Sequence, residues 1–304
     1  MQIPHIPVLL EEVKELFKNL NEGYFLDCTL GFGGHSKALL EKHSRLNLIA
    51  CDQDEFALNF SKNLLLPFKD RISLLHCNFS EILDKIDTKN LKGILADIGL
   101  SSYQLDENKR GFSMHSDFLD MRMDQSSKIS AFDVVNSYPK EKLEFIFKEY
   151  AELNDASFLA KKICDYRLKE PIKSAKKLCE IIGKARQNNR KISKATLVFQ
   201  ALRIEVNDEL KMLEKFLLKL ENLKPSGCIV AIVSFHSLED RMVKNFFKKW
   251  AKTCICDNQA LRCECGNNNN LGQILTKKAI FASENEISQN SRSSCAKMRA
   301  FCFK

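Results

Sequence analysis

The sequence predicts an α/β fold in which a parallel sheet is interrupted by a helical insertion. Three observations predict it. Short apolar runs alternate with helix-like stretches through the first hundred residues. A glycine-rich turn follows the first of those runs. From Leu100 to Gly227 no strand-like run occurs, a distance much too long for one crossover, so the intervening chain must hold structure of its own. At 304 residues and 44% hydrophobic content, the chain can bury a sizeable core and is long enough for more than one domain, so disorder is not the expectation.

The elements follow in order. The runs YFLD (24–27), NLIACD (47–52), ISLLHC (72–77) and GILADIGL (93–100) read as buried strands, each ending at a turn or helix signal. Between them HSKALLEKHS and EFALNFSKNLLL read as helices, which makes βαβ units and a parallel sheet. KEKLEFIFKEYAEL, ASFLAKKICDYRL, SAKKLCEIIGKAR and the stretch 195–223 then read as helices, with KEPIKS and QNNRKISK as breaks. GCIVAIVSF, from Gly227, returns the chain to the sheet. The expected organisation is a Rossmann-like core over 1–104, an inserted helical domain over 105–205, and the rest of the core over 206–304 with a cysteine-rich loop.

Composition narrows the setting. The first residues carry no basic leader followed by an apolar run, and no apolar stretch approaches the ~18 residues that span a bilayer, so the expectation is a soluble cytoplasmic protein without a membrane partner. Twelve cysteines in such a chain point to reduced thiols or metal ligands rather than a disulfide framework. The net charge is +8, and residues 139–195, with 15 Lys or Arg against 8 Asp or Glu, carry +7 of it. Clustered cations of this kind neutralise phosphates without reading sequence, and Lys176, Lys177, Arg186, Arg190 and Lys191 form a candidate RNA-facing surface; solvated helix faces are the plain alternative.

The glycine turn marks the candidate site. Gly31, Gly33 and Gly34 lie between a strand and a helix, where missing side chains let backbone N–H groups approach a ligand. Asp52 ends the second strand 21 residues beyond Gly31, where a carboxylate can accept hydrogen bonds from ribose hydroxyls. Nicotinamide dinucleotide and S-adenosylmethionine both suit this pattern. Because Ser36 stands where a third glycine would complete G-x-G-x-x-G, a pyrophosphate is disfavoured and a phosphate-free nucleoside preferred.

At ADIGLSSYQLD the chain resembles the bacterial 16S rRNA (cytosine-N4)-methyltransferases. HIPVLLEEV, TLGFGGHS, DIGLSSYQLD, RGFSM with LDMRMD, FQALRIEVNDEL, SFHSLEDRMVK and NSRSSCAKMR carry the resemblance nearly end to end, with Tyr103 where the family usually has proline and SRSS where it has RARS. The resemblance implies an S-adenosylmethionine-dependent methyltransferase core with an inserted helical substrate domain, and 16S rRNA or the small ribosomal subunit as partner. It also implies cofactor contacts from Gly33, Gly34, His35, Asp52, Phe79, Asp97 and Gln104.

Cytosine N4 is an amine conjugated with its ring. Asp97 and the carbonyls of Ile98 to Ser101, at a strand end, are candidate acceptors for its protons, and Asp97 is the catalytic candidate. DIGLSS lacks the prolines and aromatic of the DNA amino-methyltransferase motif, so base stacking falls to another residue, Phe112 or Phe235. A DNA amino-methyltransferase and a non-catalytic RNA-binding assembly factor are the competing functions. His236 in SFHSLEDR suits either proton transfer or a hydrogen bond at a strand end. Cys254, Cys256, Cys263 and Cys265 form C-x-C-x6-C-x-C, four thiolates that could bind a structural zinc, with free thiols as the alternative.

Overall fold

The computed structural model describes residues 7–183, 192–257 and 262–304. The chain divides into two compact units, Met1–Gly99 with Met212–Lys304 in one and Leu100–Lys211 in the other.

The first unit is built on one sheet of eight strands: β1 (Glu22–Asp27), β2 (Arg45–Asp52), β3 (Ile72–His76), β4 (Leu91–Asp97), β5 (Ile229–Ser234), β6 (Gly272–Ile274), β7 (Ile280–Phe281) and β8 (Lys297–Phe303). Their order is β3-β2-β1-β4-β5-β8-β6, and β7 pairs with β8. The first five strands run parallel, and β8 is antiparallel to β5, β6 and β7. The parallel strands are those expected from the sequence; the three antiparallel ones are additions to it. β8 carries a readable pattern, since Met298, Ala300 and Phe303 are buried and alternate in part with less buried neighbours. At three and two residues, β6 and β7 are too short for any periodicity.

Central strands divide their side chains between two faces. Leu26, Ile49, Ile94, Val230 and Ile232 join a cluster with Phe216, Leu220, Phe247 and Trp250, which the helices Glu209–Leu223 and Ser237–Trp250 contribute. Phe25, Leu48, Ala50, Leu95, Ala231 and Val233 face the other way, against Val13, Phe17, Leu39 and Leu40. Burial on both faces is why these strands read as continuous apolar runs rather than as alternating ones. From β1 the chain moves outward through β2 to β3, then returns to lay β4 on the other side of β1. Connections leaving β1 and β4 therefore diverge, and the crevice outside their carboxyl ends is where a sheet of this kind receives a ligand.

The second unit is helical: Ala131–Ser137, Lys140–Glu149, Ala156–Arg167, Ala175–Ile182 and Lys194–Asn207. Leu143, Ile146, Phe147, Ile163, Leu178, Val198 and Leu202 form its core. Ser130, Ser174 and Ser193 start their helices by accepting N–H groups three residues on. The Arg167 guanidinium takes up the carbonyls of Val135 and Tyr138 at 2.7 and 2.6 Å. The stretch 195–223, read as continuous from its apolar periodicity, breaks at Asp208, whose φ of 54° is left-handed. The physical reason lies in the preceding residue. Asn207 turns its side chain to the Met121 carbonyl and the Met123 N–H, both at 2.8 Å, which ties down the helix end; Asp tolerates the left-handed turn that follows.

Candidate active site at the carboxyl ends of β1 and β4

The site grows from the turn after β1. Asp27 ends that strand almost fully buried; its carboxylate accepts from the Ser36 hydroxyl at 2.6 Å and the Thr29 N–H at 3.2 Å, and burial pushes its pKa up. These bonds hold the strand end to the first turn of the helix Gly34–Lys42. Gly33 precedes that helix with φ 75°, and a Cβ there would lie 3.1 Å from the Ser61 hydroxyl, which donates to the Gly31 carbonyl at 2.7 Å. At Gly34 a Cβ would overlap Pro7 at 2.2 Å. Among the described residues no side chain caps this helix, whose leading N–H groups lie at the carboxyl end of β1.

Asp52 ends β2 and is tied to the same turn. Its Oδ2 accepts the Gly31 N–H at 2.7 Å and its Oδ1 the Asp54 N–H at 2.8 Å. Burial outweighs these two bonds and lifts its pKa to about 6. Each oxygen keeps a further lone pair, so the carboxylate can shape the turn and still accept a hydroxyl. Phe79, half-buried beyond β3, packs edge-on against Phe216 with ring centroids 5.6 Å apart.

Asp97 stands at the end of β4. Its N–H donates to the Thr29 hydroxyl at 2.7 Å, joining the ends of β1 and β4, and its Oδ2 lies 3.7 Å from Nε2 of the buried His35. Among the described residues, Asp97 Oδ1 and both ring nitrogens of His35 are buried and have no hydrogen-bond partner. Buried polar atoms cost free energy when unpaired, so these three are the candidate contacts for a polar ligand.

Gly33, Gly34, His35, Asp52 and Asp97 thus come together around the ends of β1, β2 and β4, with Phe79 following β3. Gln104 belongs to the second unit, where it completes a capping box: its N–H donates to the Ser101 hydroxyl at 3.2 Å and its Oε1 accepts the Ser101 N–H at 3.1 Å. Of the two stacking candidates, Phe112 is buried in the core of the second unit. Phe235 lies against Gly99, where a Cβ would come within 2.4 Å of its ring. His236 caps the helix Ser237–Trp250. Its Nδ1 accepts the Glu239 N–H at 3.4 Å and its Nε2 lies 3.0 Å from Glu239 Oε1, while Glu239 Oε2 accepts the N–H groups of Phe235 and His236. The geometry gives it the strand-end role, as the cap of the following helix.

Asp27, Thr29 and Ser36 are the residues that sequence reasoning missed. An acid closing an apolar run was the available signal for Asp27, the same signal that marked Asp52. In the second unit, Lys176 pairs with Asp117 at 2.8 Å and Lys177 with Glu180 at 3.0 Å, all at the surface; Arg186, Arg190 and Lys191 lie outside the described residues. No described helix is long and apolar enough to cross a membrane.

Comparison with known proteins shows the family. A Ribosomal RNA small subunit methyltransferase H of Campylobacter jejuni is 68% identical over 304 residues, 100% of this chain and 98% of that protein. Proteins of the same name are 61% identical in Campylobacter lari, over the whole of both chains, and 54% identical in Campylobacter fetus, over 99% of this chain and 98% of that one. The MraW methylase family matches residues 2–304, which include the glycine turn, both strand-end acids and the helical insertion, and the chain belongs to that family.

Proposed function

We propose that this chain transfers a methyl group from S-adenosylmethionine to the N4 amine of a cytidine in the decoding region of 16S rRNA, as a cytoplasmic enzyme. The observation that supports it best is the crevice itself: unpartnered buried atoms of His35 and Asp97 beside a glycine turn, at the point where the strand order reverses. The names of the relatives supply the substrate class.

In this reading Gly33 and Gly34 bring backbone close to the cofactor, Asp52 accepts its ribose hydroxyls, and Phe79 and Gln104 complete the cofactor contacts. When bound, S-adenosylmethionine supplies the methyl group together with its own sulfonium leaving group, so the chain need provide no acid. What remains is the nucleophile. The N4 lone pair is delocalised into the ring, and Asp97, by accepting an N4 N–H, draws the amine toward a tetrahedral geometry and receives the proton it must lose. The basic second unit supplies affinity for phosphates.

Radiolabelled methyl transfer to purified 30S particles, naked 16S rRNA and DNA, followed by mass-spectrometric mapping, tests the proposal. Label on one cytidine N4 of the small-subunit RNA is expected. Label on DNA would support the amino-methyltransferase alternative, and RNA binding without any transfer would support the assembly factor.

A further inference from the structure

Between the helix Ser237–Trp250 and β6, the described residues 251–257 and 262–270 leave the sheet. The base of the excursion is firm. The Leu271 N–H donates to the Trp250 carbonyl at 2.7 Å, and Trp250 packs on Phe247, Phe301 and Phe303 while its indole N–H reaches Glu221 at 2.9 Å. Beyond the base the means of holding structure change. None of the described residues in 252–257 and 262–270 joins a hydrophobic core, and Ile255 is 64% exposed. These described residues bring no apolar core to offset the entropy of ordering them.

Four thiols stand where a core would be. Sγ of Cys254 lies 3.6 Å from that of Cys263 and 3.7 Å from that of Cys265, and Cys263 and Cys265 are 3.6 Å apart; with Cys256, all four sulfurs lie within 4.8 Å of one another. A disulfide requires about 2.05 Å, so these are not bonded pairs. Ligands about 2.3 Å from a tetrahedral zinc ion are separated by about 3.8 Å, the edge of that tetrahedron, close to the spacings seen here.

The backbone around them repeats across the two arms. The N–H of Ile255, between the first two cysteines, donates to Cys265 at 3.3 Å, and the N–H of Glu264, between the last two, donates to Cys256 at 3.2 Å. Each arm thus directs a donor at the second sulfur of the other, an arrangement that favours thiolate over thiol. Gly266 and Asn267, with φ of 76° and 53°, then turn the chain back, and the Asn269 side chain takes up the carbonyls of Thr253 and Cys265.

We propose that Cys254, Cys256, Cys263 and Cys265 form a tetrahedral zinc site whose metal replaces a hydrophobic core for this excursion. Four sulfur ligands fill the coordination sphere and leave no position for substrate, so the site is structural, separate from the crevice that holds Asp97. This goes beyond the methyltransferase reading and does not depend on it.

The test is metal analysis of the full chain produced with zinc in reducing medium. One equivalent of zinc per chain is expected, falling to none in a Cys254→Ser/Cys265→Ser variant and unchanged in Cys295→Ser, a control at an exposed thiol elsewhere. Should the double variant fail to fold, the wild-type chain loaded with cobalt(II) provides an independent reading: the intense visible bands of a tetrahedral four-thiolate centre are expected. Zinc-free protein whose four thiols alkylate freely, a disulfide within the set, or stoichiometric iron in place of zinc would overturn the proposal.

Discussion

Two buried histidines of the same unit occupy like places in the chain: His35 in the helix after β1 and His236 at the start of the helix after β5. Each faces a carboxylate. Glu239 belongs to the helix that His236 caps, and it closes a local ring of bonds with the N–H groups of Phe235 and His236. Asp97 comes from a different strand, stops 3.7 Å short of His35, and leaves its own Oδ1 and the imidazole nitrogens unmatched among the described residues. A histidine next to an acid is therefore no guide to chemistry by itself. A local pair spends its hydrogen bonds on a helix end, whereas a pair assembled across the sheet can hold its polar atoms open for a ligand.

The largest effect expected from this contrast is at Asp97. Asp97→Ala should lower methyl-transfer turnover by about 10²–10⁴-fold, the usual range for a positioned proton acceptor, while RNA affinity stays nearly constant. Single-turnover assays beside RNA-binding titrations measure both, and equal losses in the two would remove Asp97 from the reacting centre.

Asp52 comes next. Asp52→Ala should weaken S-adenosylmethionine binding by about 1.5–3 kcal/mol in calorimetric titration, the range for hydrogen bonds to a charged group. Its pKa, raised to about 6, adds a pH signature with two opposite signs. Because the folded state holds this proton more tightly than the unfolded chain, the carboxyl contributes stability that is fully present below the unfolded carboxylate pKa, near 4, and is lost as pH rises through about 6. Ribose hydroxyls donate to the ionised form, so cofactor affinity should instead fall as pH drops below about 6. Asp52→Asn should flatten both profiles; profiles that remain unchanged would assign the dependence to another group.

A smaller effect separates the two histidines directly. His236→Ala should cost about 1 kcal/mol of stability in urea denaturation through the lost cap, with turnover of the folded protein retained. His35→Ala should reverse the pattern, lowering S-adenosylmethionine affinity with less effect on stability. If His236→Ala abolishes turnover in protein that remains folded, the contrast between local and cross-sheet pairs fails.

The smallest effect belongs to the second unit. Replacing Lys176 and Lys177 with Gln should weaken RNA binding slightly and make its salt dependence shallower, by a log–log slope of about 0.7–0.9 for each phosphate no longer neutralised. Their pairing with Asp117 and Glu180 sets the limit, since a cation already neutralised gains less from a phosphate. An unchanged slope would leave them as a solvated face.

By itself the sequence determined the five parallel strands, the helical character of the insertion, and the acids at the ends of β2 and β4. Those features are written locally: runs buried on both faces must be apolar throughout, and a strand must end where a polar residue meets the turn. Family motifs added the MraW methylase assignment. What only the tertiary structure decided depends on residues far apart in the chain. β8 pairs with β5 across more than sixty residues, and the helical stretch 195–223 breaks because Asn207 finds backbone partners at Met121 and Met123. Asp52 is committed first to the glycine turn, and Asp27 to Ser36. The difference between His35 and His236 is of the same kind, because hydrogen-bond satisfaction is a property of three-dimensional neighbours and no pattern of adjacent residues encodes it.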